Sequence, residues 1–385
     1  MTTCFKLAGI AVSAALLLAT SAAAQTAPYV RTAIVSPTPG NANASGTTLL
    51  TTIAGLSPAP SVTNRWLVKI EPGLFDIGTT PMQMVDYVDY EGSGPLATVI
   101  LGNVGPTAVS DDATSTLTIT TLNQGVVRGA NNSELRDLTI QCVPSVGQPA
   151  CMGMINDTVS PKVTNVRIQI TAGSAGGHWA MRNYNGSPTL NGLDIYIQGA
   201  NGADNYGIVN VQSSPGTAIP TIKNSQIVVG GPNASNNWAV LNRGNAKMPI
   251  AHTNITASGG GTAAAVIHNS GGGATGSYYI ENSSLVATAA TTSNHGIDTS
   301  LSFDTTIKPI VFSSRVRGDT VGIKIGTGAS ATVSDGQLYG GTYAVDGGTV
   351  YIGGTWIQGG TVNAAAEFCA SVWNNAFTLY ATTCP

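Results

Sequence analysis

A six-residue pattern that recurs between residues 135 and 357 constrains the fold of this chain more than any other feature of its sequence. The pattern has aliphatic residues at its first and sixth positions and often Asn or Asp at its third, as in segments 135–140 (LRDLTI), 163–168 (VTNVRI) and 222–227 (IKNSQI). Its copies start 19 to 32 residues apart. Repetition at this spacing is typical of solenoids, in which each repeat forms one coil that stacks on the next.

A second, shorter pattern alternates with the first. It consists of a small residue, an aliphatic residue, a variable residue and commonly Asn, as in segments 180–183 (AMRN), 207–210 (GIVN) and 239–242 (AVLN). Eight coils carry both patterns in strict alternation. One coil therefore consists of two or three short strands separated by bends rich in Gly, Pro and Asn.

These two patterns predict an all-β fold, a right-handed parallel β-helix (solenoid). Period-two alternation turns the aliphatic residue of the second pattern inward in every coil, which gives a stacked set: Met181, Ile208, Val240, Val266, Ile297, Ile323 and Val345. Two asparagine columns are expected in bends that need left-handed backbone angles, namely Asn183, Asn210 and Asn242, and Asn165, Asn224 and Asn282. His268 takes the place of Asn in the first column and is expected in the same kind of bend.

Two other fold classes fit the sequence less well. A βαβ fold needs helices between its strands, and no amphipathic segment of about ten residues follows residue 60. An antiparallel sandwich does not place two interleaved motifs in register. The parallel β-helix is therefore the better prediction.

The first residues predict export. Lys6 precedes an apolar run over 7–19 and small residues that end at Ala24, which is the layout of a cleavable signal peptide over 1–24. The mature chain is then expected to start near Gln25 and to reside outside a bacterial cell, at its surface or in its periplasm. No segment is continuously apolar over the length that a membrane span needs.

Four cysteines follow the predicted signal peptide, and they form two pairs that are close in sequence. In an exported chain this arrangement predicts the disulfides Cys142–Cys151 and Cys369–Cys384. The alternatives are free thiols or a metal site, but the short spacing of a zinc site is absent.

The composition excludes some partners. Only 9% of the residues are charged and the net charge is -3, so the chain has no basic stripe for nucleic acid. With 42% hydrophobic residues the chain has a packed core, and the even spread of small apolar residues suits a long, thin core.

Both ends of a solenoid need a cap, because a terminal coil exposes strand edges and core. Residues 47–56 (TTLLTTIAGL) place Leu49, Leu50, Ile53 and Leu56 on one face of a helix, which predicts a short N-terminal capping helix. At the other end the Cys369–Cys384 pair predicts a disulfide-stapled C-terminal cap. The expected organisation is a single domain over 25–385, with coils over 65–365 and the C-terminal cap over 366–385.

Two segments near the N-terminus share a pattern of a strand that ends in a tight bend. They are 66–78 (WLVKIEPGLFDIG), with the turn at Pro72-Gly73, and 85–100 (VDYVDYEGSGPLATVI), with the bend at Gly92-Ser93-Gly94. These segments resemble the opening coils of pectinesterases and of secreted bacterial β-helix proteins of the pectin lyase-like superfamily. The resemblance covers about 75 residues and implies the fold. It leaves the activity open, because this superfold carries lyases, hydrolases, esterases and non-catalytic surface proteins.

A lyase of this kind would need carboxylates that hold Ca²⁺ and an arginine that abstracts a proton. The candidates for such a site are Asp298, Asp346, Arg315 and Arg317. Lys324 interrupts the carboxylates in the same column, which favours a surface ion-pair ladder instead. Ca²⁺ is expected only if the protein is a lyase, and no other cofactor is expected.

Other catalytic arrangements find weaker support. The adjacent Asp111 and Asp112 lie in a polar loop and would point in opposite directions in a strand. Asp194 and Arg167 occupy one column, but a second aspartate in register, as a pectinesterase site requires, is missing. The four histidines, His178, His252, His268 and His295, show no metal-site spacing.

An aromatic column is the candidate for ligand binding. Trp179, Tyr206 and Trp238 take one repeat position in three consecutive coils, and stacked aromatic faces bind sugar rings. The alternative is an internal aromatic stack, because period-two alternation puts Trp179 on the same side as the inward Met181. The sequence thus favours a secreted or cell-surface protein that contacts polysaccharide without catalysis, with a polysaccharide lyase, esterase or hydrolase as the alternative.

Overall fold

The computed structural model describes residues 29–105, 125–144, 150–171, 176–199, 203–212, 218–269, 276–300, 307–381 and 384–385. The expected signal peptide over 1–24 and the Asp111-Asp112 pair lie outside these ranges.

The described residues form one helix and 33 strands. The first coils contain α1 (Ala42–Ala54) and the strands β1 (Arg31–Val35), β2 (Trp66–Ile70), β3 (Gly73–Asp76), β4 (Met82–Gln83), β5 (Val88–Glu91), β6 (Thr98–Gly102), β7 (Val127–Arg128), β8 (Glu134–Cys142) and β9 (Cys151–Asp157). The central coils contain β10 (Lys162–Thr171), β11 (His178–Tyr184), β12 (Thr189–Asn191), β13 (Asp194–Gln198), β14 (Asn205–Gln212), β15 (Thr221–Lys223), β16 (Gln226–Gly230), β17 (Asn236–Gly244), β18 (Ile250–Ala251), β19 (Asn254–Ser258), β20 (Thr262–Asn269), β21 (Gly276–Glu281), β22 (Ser284–Thr288) and β23 (Ser293–Asp298). The last coils contain β24 (Ile307–Phe312), β25 (Arg315–Gly318), β26 (Val321–Lys324), β27 (Ser330–Ser334), β28 (Gln337–Asp346), β29 (Thr349–Gly353), β30 (Trp356–Asn363), β31 (Ala366–Ala370), β32 (Val372–Trp373) and β33 (Leu379–Tyr380).

Each coil contributes extended backbone to each of three parallel sheets, and the long strands β8, β10 and β28 each run through two of them. In one coil β11 belongs to sheet 1, β12 to sheet 2 and β13 to sheet 3, and each pairs in parallel with the equivalent strand of the next coil, β14, β15 and β16. The strand pairs named in the three sheets are parallel except for β32 with β33, which is antiparallel. The predicted parallel β-helix is confirmed, and the βαβ and sandwich alternatives are excluded.

The interior is a single stack of small and aliphatic side chains. The seven residues predicted to turn inward all belong to this core and are completely buried. In sheet 1 the preceding residue also faces the core, as Ala180 does before Met181 and Ala239 before Val240. Two successive inward residues mean that each strand of sheet 1 turns a corner there, because a straight strand alternates sides.

One of the two asparagine columns does not lie in bends, contrary to expectation. Asn183, Asn210 and Asn242 lie within strands of sheet 1 and are fully buried. Their amides form a ladder through the core: Asn156 donates to Asn183, Asn183 to Asn210 and Asn210 to Asn242, over 2.7, 2.7 and 2.8 Å. These asparagines are accommodated within strands because each amide both donates and accepts a hydrogen bond along the stack.

The other asparagine column is confirmed as a left-handed bend between sheets 2 and 3. Asn165, Asn224 and Asn282 have φ of 51°, 51° and 48°. The same position in other coils is taken by His252, Ser313 and Asp335, with φ of 49°, 46° and 53°. The bend expected at His268 is wrong, since His268 lies within β20 and pairs with Asn242, and His252 is the histidine that takes a bend position.

The predicted capping helix is present but begins earlier than its apolar pattern indicates. Helix α1 starts after Asn41, whose side chain accepts a hydrogen bond from the Ala44 amide, and it buries Leu49 and Ile53. Its first turn packs close to β3: a Cβ atom at Gly46 would lie 2.0 Å from the carbonyl oxygen of Asp76. Both predicted disulfides, Cys142–Cys151 and Cys369–Cys384, are formed.

Candidate functional site

The corner in sheet 1 creates two columns of side chains on the outer face of this sheet. The residues before and after the inward pair both point outward, so positions three apart stand side by side. The first column consists of Met152, Trp179, Tyr206, Trp238, Ala264, His295, Val321 and Tyr343. The second consists of Ile155, Arg182, Val209, Leu241, Ile267, Asp298, Lys324 and Asp346. The aromatic column and the aspartate column of the sequence are therefore neighbours on one face.

The aromatic residues stack as their register predicts, but not inside the main core. Trp179 and Tyr206 are parallel, with ring centroids 5.5 Å apart, and Tyr206 meets Trp238 edge to face at 5.4 Å. They are 3%, 1% and 9% exposed and belong to a second apolar cluster, separate from the core that contains Met181. The placement of Trp179 on the Met181 side is wrong because the corner reverses the alternation. The rings are buried against one another, and sugar contact by them stays a prediction.

Two coils beyond Trp238, the same two columns hold a buried histidine–aspartate pair. Nδ1 of His295 lies 2.6 Å from Oδ2 of Asp298, and both residues are 5% exposed. Oδ1 of Asp298 accepts hydrogen bonds from the backbone N–H and the hydroxyl of Ser300, over 2.8 and 2.6 Å. The carboxylate is thus bonded at both oxygens.

The electrostatics of this pair favour an ionised aspartate. Burial on its own would raise the pKa of Asp298, but the hydrogen bonds and charge of His295 and the bonds from Ser300 hold it below the ordinary value. When the imidazole of His295 is neutral and donates its Nδ1 proton to the ionised Asp298, Nε2 carries the lone pair. No hydrogen bond within the described part of the chain involves Nε2. This arrangement orients one imidazole nitrogen for proton transfer.

Beyond the pair the outer face becomes polar and opens toward solvent. Lys324 follows Asp298 in its column, and Asp346 follows Lys324; both side chains are partly exposed, as is Tyr343 in the first column. Lys324 forms no ion pair with either aspartate in the described chain, and Asp346 instead accepts a hydrogen bond from Asn363 over 2.8 Å. The expected ion-pair ladder is therefore not formed.

The structure does not bring all four of the lyase candidates together. Arg315 and Arg317 lie on β25 in sheet 3, whereas Asp298 and Asp346 lie on sheet 1. Arg317 pairs with Asp319 over 2.8 Å and lies over the Tyr339 ring at 4.8 Å. Arg315 lines a groove on a different corner of the coil.

The other charged candidates have structural partners. Arg167 and Asp194 share a column, as expected, and approach to 3.4 Å at the surface. On the outer face of sheet 2 in the first coils, Arg136 bonds to Glu91 and Glu134 over 2.6 and 3.2 Å. Burial counteracts these bonds, yet they hold the pKa of Glu91 below its ordinary value. These carboxylates are occupied by cations of the chain and tie successive coils together.

The remaining histidines do not extend the site. His178 is buried on the inner side of sheet 1, and neither ring nitrogen has a hydrogen-bond partner among the described residues. In the described part of the chain no three His, Cys, Asp or Glu side chains cluster closely enough to hold a metal ion. The sequence pattern does not predict the pairing of His295 with Asp298, although their spacing equals that of Trp179 and Arg182 in an equivalent coil.

Comparisons with known proteins extend only to the fold. No family model and no curated protein matches the sequence. The Dettilon tailspike protein matches with a TM-score of 0.51 and 12% identity, over 89% of this chain and 62% of the tailspike. The A-module of the mannuronan C-5 epimerase AlgE6 of Azotobacter vinelandii matches with 0.43 and 15%, over 86% and 89% of the two chains. Pectin methylesterase from carrot matches with 0.40 and 12%, over 69% and 77%.

Two further features of the described chain bear on where the protein resides. In the part of the chain that the structure describes, none of the helices has the length and apolarity of a membrane span. Two disulfides fit an extracellular protein. At identities this low the likeness concerns architecture alone, and by that measure the chain is a parallel β-helix.

Proposed function

We propose that the protein is an exported enzyme that acts on a polysaccharide at the outer face of sheet 1. His295 is the group that transfers the proton, and Asp298 is the residue that positions it. The observation that carries the proposal is the buried contact of 2.6 Å between Nδ1 of His295 and Oδ2 of Asp298.

The chemistry follows from the charges of the pair. With Nδ1–H bonded to the carboxylate, Nε2 accepts a proton from the substrate or from a water that attacks it. The imidazolium that forms is stabilised by Asp298, whose charge is already held by three hydrogen bonds. Low exposure of both groups strengthens this interaction, because little water screens it.

The open half of the face supplies contacts to the substrate. Lys324 lies one coil from Asp298, about 4.8 Å along the stack. Its ammonium binds a substrate carboxylate or hydroxyl next to the proton-transfer group, and Tyr343 adds a partly exposed ring one coil further.

The test is an activity panel with the purified chain on neutral and uronate polysaccharides, which records new reducing ends, unsaturated ends and released methanol. His295→Gln is expected to lower kcat by roughly 10²–10⁴-fold in a variant that still folds. Asp298→Asn is expected to lower kcat and to shift the pH profile, because the orienting charge is gone. Full activity of His295→Gln, or no product from any polymer, would refute the proposal.

A second function is favoured by the burial of the same residues. His295 and Asp298 are only 5% exposed, which limits the access of a substrate to the pair and suits a protein that holds polysaccharide elsewhere on its surface without catalysis. Binding of a polymer with no product in the same panel would support this alternative.

A further inference from the structure

A groove of about 620 Å³ runs along the corner between sheets 2 and 3, away from the outer face of sheet 1. One wall is a column at the start of the sheet 3 strands, with one side chain from each of six successive coils: Asn254, Ser284, Arg315, Gln337, Trp356 and Trp373. The column is about 24 Å long at the spacing of stacked strands. The other wall is the left-handed bend, including Asn282, Ser313 and Asp335.

The aromatic end of this groove is rigid and accessible. Trp373 is 42% exposed, and the neighbouring Trp356 is partly exposed. The indole N–H of Trp356 donates to the carbonyl oxygen of Asn374 over 3.2 Å, and its ring meets Phe377 at 5.5 Å. The Trp356 indole is therefore held in place by the C-terminal cap while part of its surface faces solvent, and Trp373 adds a more exposed indole beside it.

Most of the rest of the groove offers hydrogen bonds from neutral side chains, and Arg315 and Asp335 are its charged residues. Asn254 and Gln337 are exposed and present amides, and Ser284 presents a hydroxyl. Arg315 is exposed and forms no ion pair with another described residue. Amides and hydroxyls in line with apolar aromatic surface match a sugar chain, whose rings have apolar faces and polar rims.

The geometry also favours a linear ligand. The lining residues repeat once per coil, and the length of a pyranose unit in an extended polysaccharide is close to the spacing between coils. Successive sugar rings of a bound chain would therefore lie against equivalent positions of successive coils. The last two of these positions are Trp356 and Trp373.

We propose that this groove is a second polysaccharide-binding site, which holds a linear chain parallel to the axis of the β-helix without acting on it. The site does not include His295, so a test of this proposal is independent of a test of the proposed activity. Arg315 gives the groove a cation that selects chains with carboxylates.

The experiment measures affinity of the whole purified chain for a neutral β-glucan and for a polyuronate by affinity electrophoresis. Trp373→Ala is expected to weaken binding roughly tenfold. Gln337→Ala is the second variant, with a smaller loss, in case Trp373→Ala disturbs the cap. Arg315→Ala is expected to weaken binding of the polyuronate more than that of the glucan, because it removes the cation of the groove, and an equal loss for both polymers would contradict selection of acidic chains.

Two controls separate this site from others. Tyr279→Ala removes a ring that is 56% exposed on sheet 2 outside the groove, and it is expected to bind as the unchanged protein does. His295→Gln is also expected to bind normally, so a failure of the proposed activity leaves this result intact. Affinity of Trp373→Ala and Gln337→Ala within twofold of the unchanged protein, or no binding of either polymer, would overturn the proposal. So would self-association that Trp373→Ala abolishes, because the groove would then serve a second copy of the chain.

Discussion

The outer face of sheet 1 has two halves that share one backbone path and differ in the polarity and exposure of their side chains. From Met152 to Ile267 the two outward columns are almost entirely apolar or aromatic and are buried in a cluster of their own. From His295 onward the same columns carry a histidine, aspartates and a lysine, and exposure rises along the axis toward Asn363.

The difference shows that the corner in the backbone fixes two outward positions in every coil. The type of side chain then decides whether these positions form a core or a site. In the covered half the columns stabilise the fold by excluding water. In the open half they place polar groups in the same register, and the His295–Asp298 pair stands at the boundary. A buried pair next to an accessible cation is the arrangement expected of a site, whereas a buried aromatic stack is the arrangement expected of a core.

The largest effect that separates the halves is on stability. Trp179→Ala is expected to lower the free energy of unfolding by about 3–5 kcal/mol, because it removes a buried ring and leaves a cavity. Tyr343→Ala, the matched change in the open half, is expected to cost less than about 1 kcal/mol. Urea unfolding of both variants measures the contrast, and equal costs would mean that the two halves do not differ in packing.

An intermediate effect concerns His178, which lies on the inner side of the covered half. Burial lowers the pKa of His178 from its ordinary value to about 4. Because the unfolded chain takes up the proton first, the stability that the neutral imidazole contributes is present above pH 6.5 and is lost as the pH falls toward 4. Between pH 7 and pH 5 this loss is roughly 2 kcal/mol.

Urea unfolding at both pH values provides the check, with His178→Asn as the matched variant. An amide at this position follows the buried Asn205 and Asn237 of the next coils, and the variant is expected to lose this share of the pH dependence. An unchanged slope would show that His178 does not titrate on unfolding.

The smallest effect concerns the ion-pair ladder that was expected among Asp298, Lys324 and Asp346 and that is not formed in the structure. Lys324→Met is expected to change the stability by less than about 0.5 kcal/mol and to leave its salt dependence unaltered, since Lys324 pairs with neither Asp298 nor Asp346 in the described chain. A clear loss that high salt abolishes would restore the ion-pair interpretation.

The sequence predicts those features that depend on local chemistry or repetition. Asn165 and Asn224 are correctly placed in left-handed bends because few residues tolerate that conformation. The disulfides follow from pairs that are close in sequence. Helix α1 is shortened in the prediction because its first turn is made of small residues, whose burial against β3 leaves no apolar periodicity.

The candidate site could not be predicted because period-two alternation fails at the corner. In a straight strand His295 and Asp298 would point to opposite sides, and so would Trp179 and Arg182. The inward pair Gly296 and Ile297 occupies two successive positions and returns both neighbours to the same side. The reversal is visible only in the structure, where Ala180 and Met181 are adjacent in sequence and both face the core.

The asparagine ladder has a consequence for how such a chain can change in length. The rungs from Asn156 to Asn183 and from Asn183 to Asn210 are each 27 residues apart, and each amide meets the next only when whole coils separate them. Loss or duplication of 27 residues within this stretch would let the rungs rejoin, and the rung from Asn210 to Asn242 forms across 32 residues, so a loop between strands can lengthen without breaking the ladder. Whole coils are thus the unit in which this ladder is lost or gained, while the loops within a coil are free to vary in length.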